Sequence, residues 1–149
     1  MKRLLVAGVA LLALSTALAM GACSDGGEKG GVVNVTESEW SVVPDRESVK
    51  AGEVTFKDTN KGDEKHELVV VKTDLPAHQL PTTAEGKVDE DQVNVIGEIE
   101  EFESGATEEA TFNLTPGKYV LLCNIAEQEA NGEIESHYKL GMATAFVVE

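Results

Sequence analysis

Side chains able to grip a soft metal or attack a substrate are scarce in this chain. Among 149 residues there are three histidines, His66, His78 and His137, and two cysteines, Cys23 and Cys123. An enzyme built on several metal centres needs more histidines than that. A Cys123–His137 nucleophile pair is chemically imaginable, but no third residue to orient it and no oxyanion feature accompany it. The chain is therefore expected not to be an enzyme. Basic residues are also few: 12 Lys and Arg stand against 27 Asp and Glu. Setting aside Lys2 and Arg3 leaves 10 against 27, a net of −17. Such a surface repels nucleic acid and anionic lipid, and it suits a partner protein with a basic patch, bound in a salt-sensitive way. Plain solubility outside the cell accounts for the charge equally well. The sequence has no internal repeat, no second domain boundary and no convincing long amphipathic helix.

Only one long apolar run is present, Leu4 to Met20, and it follows the basic start Met1-Lys2-Arg3. Gly21-Ala22-Cys23 comes directly after it. Basic, apolar, then small is the order of an export signal. At 17 residues the run is near the lower limit of a membrane span, so an uncleaved anchor stays open. Met20-Gly21-Ala22-Cys23 resembles a bacterial lipobox, in which the cysteine becomes the lipidated first residue. The rival is ordinary cleavage after Ala19 or Ala22. The expectation is a lipoprotein-type signal over 1–22, a lipid on Cys23 tethering the chain to the extracytoplasmic face of a membrane, a flexible Gly/Ser-rich leash through residue 31, and one monomeric domain over 32–149.

If Cys23 is lipidated, Cys123 is a lone thiol in an oxidising compartment, a liability unless it is buried or bound. Its surroundings read as β-structure throughout. Val33, Val35 and Thr36 open a first strand that Trp40, Val42 and Val43 continue to Pro44, with a bend or bulge near Ser38 where the apolar parity shifts. Val54 and Phe56 alternate with Thr55 and Lys57 as a half-buried strand, and Asp58 to Lys65 reads as a polar loop. Leu68-Val69-Val70-Val71 and Tyr119 to Cys123 are apolar on both faces, as in strands covered on two sides. Leu75 to Gln92 is a long excursion, Val93 to Phe102 is strand or short helix, Thr111 to Leu114 is a strand, Pro116-Gly117 a tight turn, and Ala143 to Val148 the last strand. Seven or eight short strands with turn signals at their joints predict an all-β sandwich.

In such a sandwich His66 opens one two-sided strand, Cys123 ends the other, and His137 and Met142 precede the final strand. Strand ends and an adjoining loop can meet at one pole, which would bring two imidazoles, a thiolate and a thioether together. A trigonal thiolate–imidazole set with a weak axial Met suits copper in both oxidation states. Leu121, Leu140 and Phe146 are expected to keep water off the sulfur. Singly, Cys123 is a small hydrophobe, His137 a surface residue and Met142 core filler; the joint pattern is what points to a metal.

Pro116-Gly117-Lys118-Tyr119-Val120-Leu121-Leu122-Cys123, followed by His137-Tyr138-Lys139-Leu140-Gly141-Met142, resembles the copper-binding end of the plastocyanin and azurin (cupredoxin) family. There too a Pro-Gly turn leads a Tyr-containing strand into the ligand Cys, and a His precedes a Gly-Met pair. Asn60-Lys61-Gly62 through His66-Glu67-Leu68-Val69-Val70 is similar to the family's first-ligand region. The resemblance implies a Greek-key cupredoxin sandwich holding one copper ion, Cu(I)/Cu(II), with His66 and His137 as imidazole ligands, Cys123 as thiolate and Met142 as axial thioether. It departs from the pattern at Asn124 to Ser136, thirteen Glu-rich residues between Cys and the second His, and at Glu67, where the family often has a small polar residue.

The function expected from this is electron transfer by an exported, tethered blue copper protein working with a redox partner. A copper chaperone or store without redox role is the alternative, and a metal-free adhesive domain a more remote one. His78 reads as a loop residue. Asp89-Glu90-Asp91 lacks the glycine an EF-type calcium loop needs, since Asn94 stands there. Asn34-Val35-Thr36 and Asn113-Leu114-Thr115 fit the glycosylation pattern but read as strand and turn residues.

Overall fold

The computed structural model describes residues 30–149. The expected export signal, the lipidated Cys23 and most of the leash lie outside the described residues. The chain runs through β1 (Gly31–Ser38), β2 (Ser41–Pro44), β3 (Ser48–Val49), β4 (Gly52–Asn60), β5 (His66–Lys72), β6 (Asn94–Phe102), β7 (Thr107–Leu114), β8 (Gly117–Leu122), β9 (Ala126–Gln128), β10 (Ile134–Ser136), the single helical turn α1 (His137–Leu140) and β11 (Ala143–Val148). A four-stranded sheet, β2-β1-β4-β7, faces a five-stranded sheet, β3-β11-β8-β5-β6, and β9 and β10 form a separate hairpin. This is the expected all-β sandwich. The count exceeds seven or eight because β2 and β3 are short edge pieces of four and two residues and the separate hairpin adds β9 and β10, of three residues each.

Alternation sets the inner face. Val33 and Val35 on β1 and Val54 and Phe56 on β4 turn inward to meet Leu68, Val70, Leu121 and Phe146 of the opposite sheet. Each such side chain removed from water contributes about 1.5–3 kcal/mol. Phe56 and Phe146 lock the layers edge to face, with ring centroids 5.8 Å apart. The second apolar face of β5 and β8 is covered as well: Val69, Val71, Val120 and Leu122 pack beneath Leu80 and Val88 of the 73–93 excursion and beneath Tyr138. That covering explains why both strands read as apolar on two sides.

Three expectations change. The segment from Val33 to Pro44 is not one bent strand. β1 and β2 form an antiparallel hairpin, Ser38 opposite Ser41 and Val35 opposite Pro44, reversing at Glu39-Trp40, which are joined by a cis peptide. The parity shift marks a reversal, because a two-residue turn exchanges the faces as a bulge does. The polar stretch from Asp58 is still strand: β4 runs to Asn60, and Asp58 and Asn60 are buried. The open choice at 93–102 resolves as strand β6, antiparallel to β5, whose outer edge it covers.

Candidate metal centre

Three separate stretches deliver the site. β5 begins at His66, whose side chain is fully buried. β8 leads into Cys123, which is held in register by its N–H donating to the Met142 carbonyl (3.1 Å). Beyond the β9–β10 hairpin, Ser136 caps α1, accepting from the Lys139 N–H, and His137 is the first residue of the turn. Gly141 ends that turn at φ 124°, a left-handed value that suits glycine, and lets Met142 re-enter the core. Main-chain bonds from His137 N–H to the Ile125 carbonyl and from Met142 N–H to the His137 carbonyl, each 3.0 Å, tie the stretch into one frame.

Cys123 Sγ lies 3.3 Å from His137 Nδ1 and 3.9 Å from His66 Nδ1. One donor atom from each of the three residues lies within 4.8 Å of the others, and all three are buried. Bonds of about 2.0–2.3 Å from one ion to nitrogen and sulfur donors in a trigonal plane separate the donors by roughly 3.5–4 Å. The residues present therefore fit a single ion, and a thiolate with two imidazoles is the donor set of copper sites. Met142 is fully buried in the same core as Cys123 and brackets the site through its backbone. His78 is exposed in the excursion and takes no part.

The electrostatics suit metal binding. Burial pushes the Cys123 thiol up, with the Glu37 carboxyl adding to the effect, while the N–H groups of Ile125 and Glu67 aimed at the sulfur oppose it. Burial, reinforced by the neighbouring His66, lowers His137 to about 4. His66 is lowered by burial against the pull of Glu39. Both rings are thus neutral near pH 7, with lone pairs free for a cation that displaces the thiol proton. Glu67, the departure beside His66, braces the sulfur through its main chain, and burial pushes its own carboxyl up to about 7.

Leu121 and Phe146 lie in the same core as Cys123, as expected, but Leu140 does not. It is 45% exposed, because the buried side of the one-turn α1 is taken by His137 and Tyr138. Sequence reasoning passed over the polar residues that fasten this stretch. Asn124 accepts from the Val88 N–H (2.6 Å) and donates to the Val88 carbonyl (3.1 Å) and to Glu90 (2.8 Å). Ser136 Oγ donates to the Gly86 carbonyl. The Tyr138 hydroxyl accepts from the Leu80 N–H and donates to the Ala77 carbonyl. The long excursion is thus bolted to the ligand-bearing chain, and the available signal was that each of these polar residues directly adjoins Cys123 or His137. Outside His137 opens a cleft of about 330 Å³ lined by Asp63, Glu64, Glu127, Glu129 and Glu135 among others.

No family model matches the chain, and no curated protein matches it in sequence. Solved structures do. Dithionite-reduced auracyanin from Roseiflexus castenholzii is 20% identical and superposes with a TM-score of 0.54 over 81% of this chain and 98% of that one. Auracyanin A from Chloroflexus aurantiacus, described as a "blue" copper protein, is 20% identical, with a TM-score of 0.53 over 80% of this chain and all of that one (100%). Reduced rusticyanin is 18% identical, with a TM-score of 0.51 over 81% of each chain. All three are cupredoxins, and the chain shares their fold.

Proposed function

We propose that this cupredoxin-fold protein carries single electrons on one copper ion, held as a blue-type centre by His66, Cys123, His137 and Met142. The observation that carries the reading is the meeting of His66 Nδ1, Cys123 Sγ and His137 Nδ1, from positions up to 71 residues apart, at spacings that suit one ion in a buried core. Copper would supply a one-electron couple between Cu(I) and Cu(II). The chain's part is to fix the donors through β5, β8 and α1 so that little rearranges as charge changes, and to keep water from the sulfur. Similarity in fold to a protein described as a blue copper protein supports the same reading.

The proposal extends to export and to a lipid on Cys23 at the extracytoplasmic membrane face, supported by the order of residues from Met1 to Cys23. It also includes a redox partner that presents a basic patch, supported by the acidic rim outside His137.

The test is to produce residues 24–149 without lipid and add one equivalent of cupric ion. An electron carrier gives an intense visible thiolate-to-copper band and a reversible one-electron wave. Tight cuprous binding without that band, with release to a second protein, would replace this reading with the chaperone or store. Failure to bind either ion would leave the metal-free adhesive domain. For the anchor, Cys23→Ala in the full chain is expected to move the protein from the membrane to the soluble fraction; retention in the membrane overturns the lipid attachment.

A further inference from the structure

Each candidate imidazole ligand shows its Nδ1 to the Cys123 sulfur and its Nε2 to a carboxylate. His66 Nε2 lies 3.4 Å from Glu39 Oε1, and His137 Nε2 lies 3.4 Å from Glu64 Oε2. The His66 Nε2 is fully buried and completes no hydrogen bond among the described residues, and the Glu39 carboxylate oxygen 3.4 Å away is the charged acceptor beside it. The carboxylates are themselves linked. Glu39, at the β1–β2 reversal, accepts the main-chain N–H groups of Asp63 (2.9 Å) and Glu64 (3.0 Å). The loop that presents Glu64 to His137 is therefore fastened by the residue that faces His66.

We propose that Glu39 and Glu64 are positioning residues for the copper centre, each holding its imidazole in the Nε2–H form with the Nδ1 lone pair directed inward, and together biasing the centre toward Cu(II). This rests on the electron-carrier reading. A carboxylate behind a ligating imidazole fixes its tautomer and orientation and makes the ring a stronger donor. A stronger donor and a nearby negative charge both favour the more positive oxidised ion, so the two contacts lower the reduction potential. Glu64 is the more exposed partner, its side chain about 44% open against 27% for Glu39. Screening by water makes Glu39 the stronger of the two.

The variants are Glu39→Gln and Glu64→Gln, which keep shape and one acceptor oxygen but remove the charge, with Glu127→Gln as control. Glu127 lines the same acidic cleft and has no ion pair to either ring among the described residues. Voltammetry on the copper-loaded proteins is expected to show a positive shift in both test variants, larger in Glu39→Gln, with little change in the control. In the apoprotein, ring nitrogen NMR is expected to report Nε2–H tautomers for both histidines in the wild type, and a Nε2–H proton signal moved upfield in the matching variant alone. Equal potential shifts in all three variants would reduce the effect to general charge and overturn the proposal, as would wild-type rings in the Nδ1–H form. If the wild type binds copper without a blue-type band, the electron-carrier reading fails by itself, and the apoprotein spectra still decide whether these carboxylates hold the rings.

Discussion

Cys123→Ser is expected to abolish the intense visible band of the cupric protein and to weaken copper binding by more than about 100-fold. Loss of mere outer partners of a metal ligand already reduces affinity by about 10–100-fold, and here the anionic donor itself goes. A serine hydroxyl in this position stays protonated and offers a hard neutral oxygen where a soft thiolate stood. The effect is specific to the site because the surrounding frame uses the backbone of Cys123, whose N–H bond to the Met142 carbonyl the substitution leaves intact. Some stability is lost too, on the order of 1–3 kcal/mol, since a hydroxyl enters an apolar core. Absorption spectroscopy and competition with a copper chelator check the first claim, and circular dichroism the second. A cupric band that survives in the serine variant would remove Cys123 from the centre.

A second large effect lies in the core. Glu37 on β1 and Asp58 on β4 both point inward and are fully buried, and none of their four carboxyl oxygens has a hydrogen-bond donor among the described residues. Burial, then repulsion by Asp58, raises Glu37 well above the usual carboxylate range. Burial raises Asp58 to about 6, partly offset by its contact with Glu37. The pair therefore keeps a shared proton under conditions where the unfolded chain, ionising near pH 4, has released it. Where the native state binds more protons, stability falls as pH rises. The full contribution is present below about pH 4 and is lost as pH climbs through the folded-state value of Asp58 and on toward that of Glu37.

At about 1.4 kcal/mol per pKa unit, a loss on the order of 2–3 kcal/mol is expected between pH 4 and pH 8. Glu67, raised to about 7, acts in the same sense, so the diagnostic comparison is with Glu37→Gln. Its amide can donate to Asp58 without a titrating proton. Denaturant unfolding across that pH range is expected to give a flatter profile for the variant and higher stability than wild type at pH 8. Parallel profiles would show that the buried pair does not govern the pH response.

Which parts of this molecule could be read from the sequence follows from how far each signal reaches. The two-sided strands were legible because four apolar residues in a row on β5, and again on β8, need cover on both faces. The meeting of His66, Cys123 and His137 was legible because cysteine and histidine are so few and His66 and Cys123 fall at the ends of those strands. The reversal at Glu39-Trp40 was not, since an exchange of faces looks the same for a bulge and for a hairpin. Charge misled at Asp58, where an acidic residue on a β4 inner position reads as solvent loop unless its companion on β1 is known. The partnerships of Glu39 and Glu64 with the rings join segments that no local pattern connects, and Leu140 was misplaced because a single helical turn has room to bury only two of its four side chains.

The β9–β10 hairpin bears on how the centre assembles. Thirteen residues separate Cys123 from His137, yet Ala126 pairs with Ser136 and Gln128 with Ile134, so the intervening polymer closes on itself through its own ladder. The second imidazole thus sits one step from the main chain of Ile125, as though the two were near neighbours in sequence. Closing a slack loop of that length would otherwise add to the entropy cost of bringing the two residues together. Zipped in advance, the insertion lengthens the tether without loosening the frame, leaving its turn free to vary while His137 keeps its place beside Cys123.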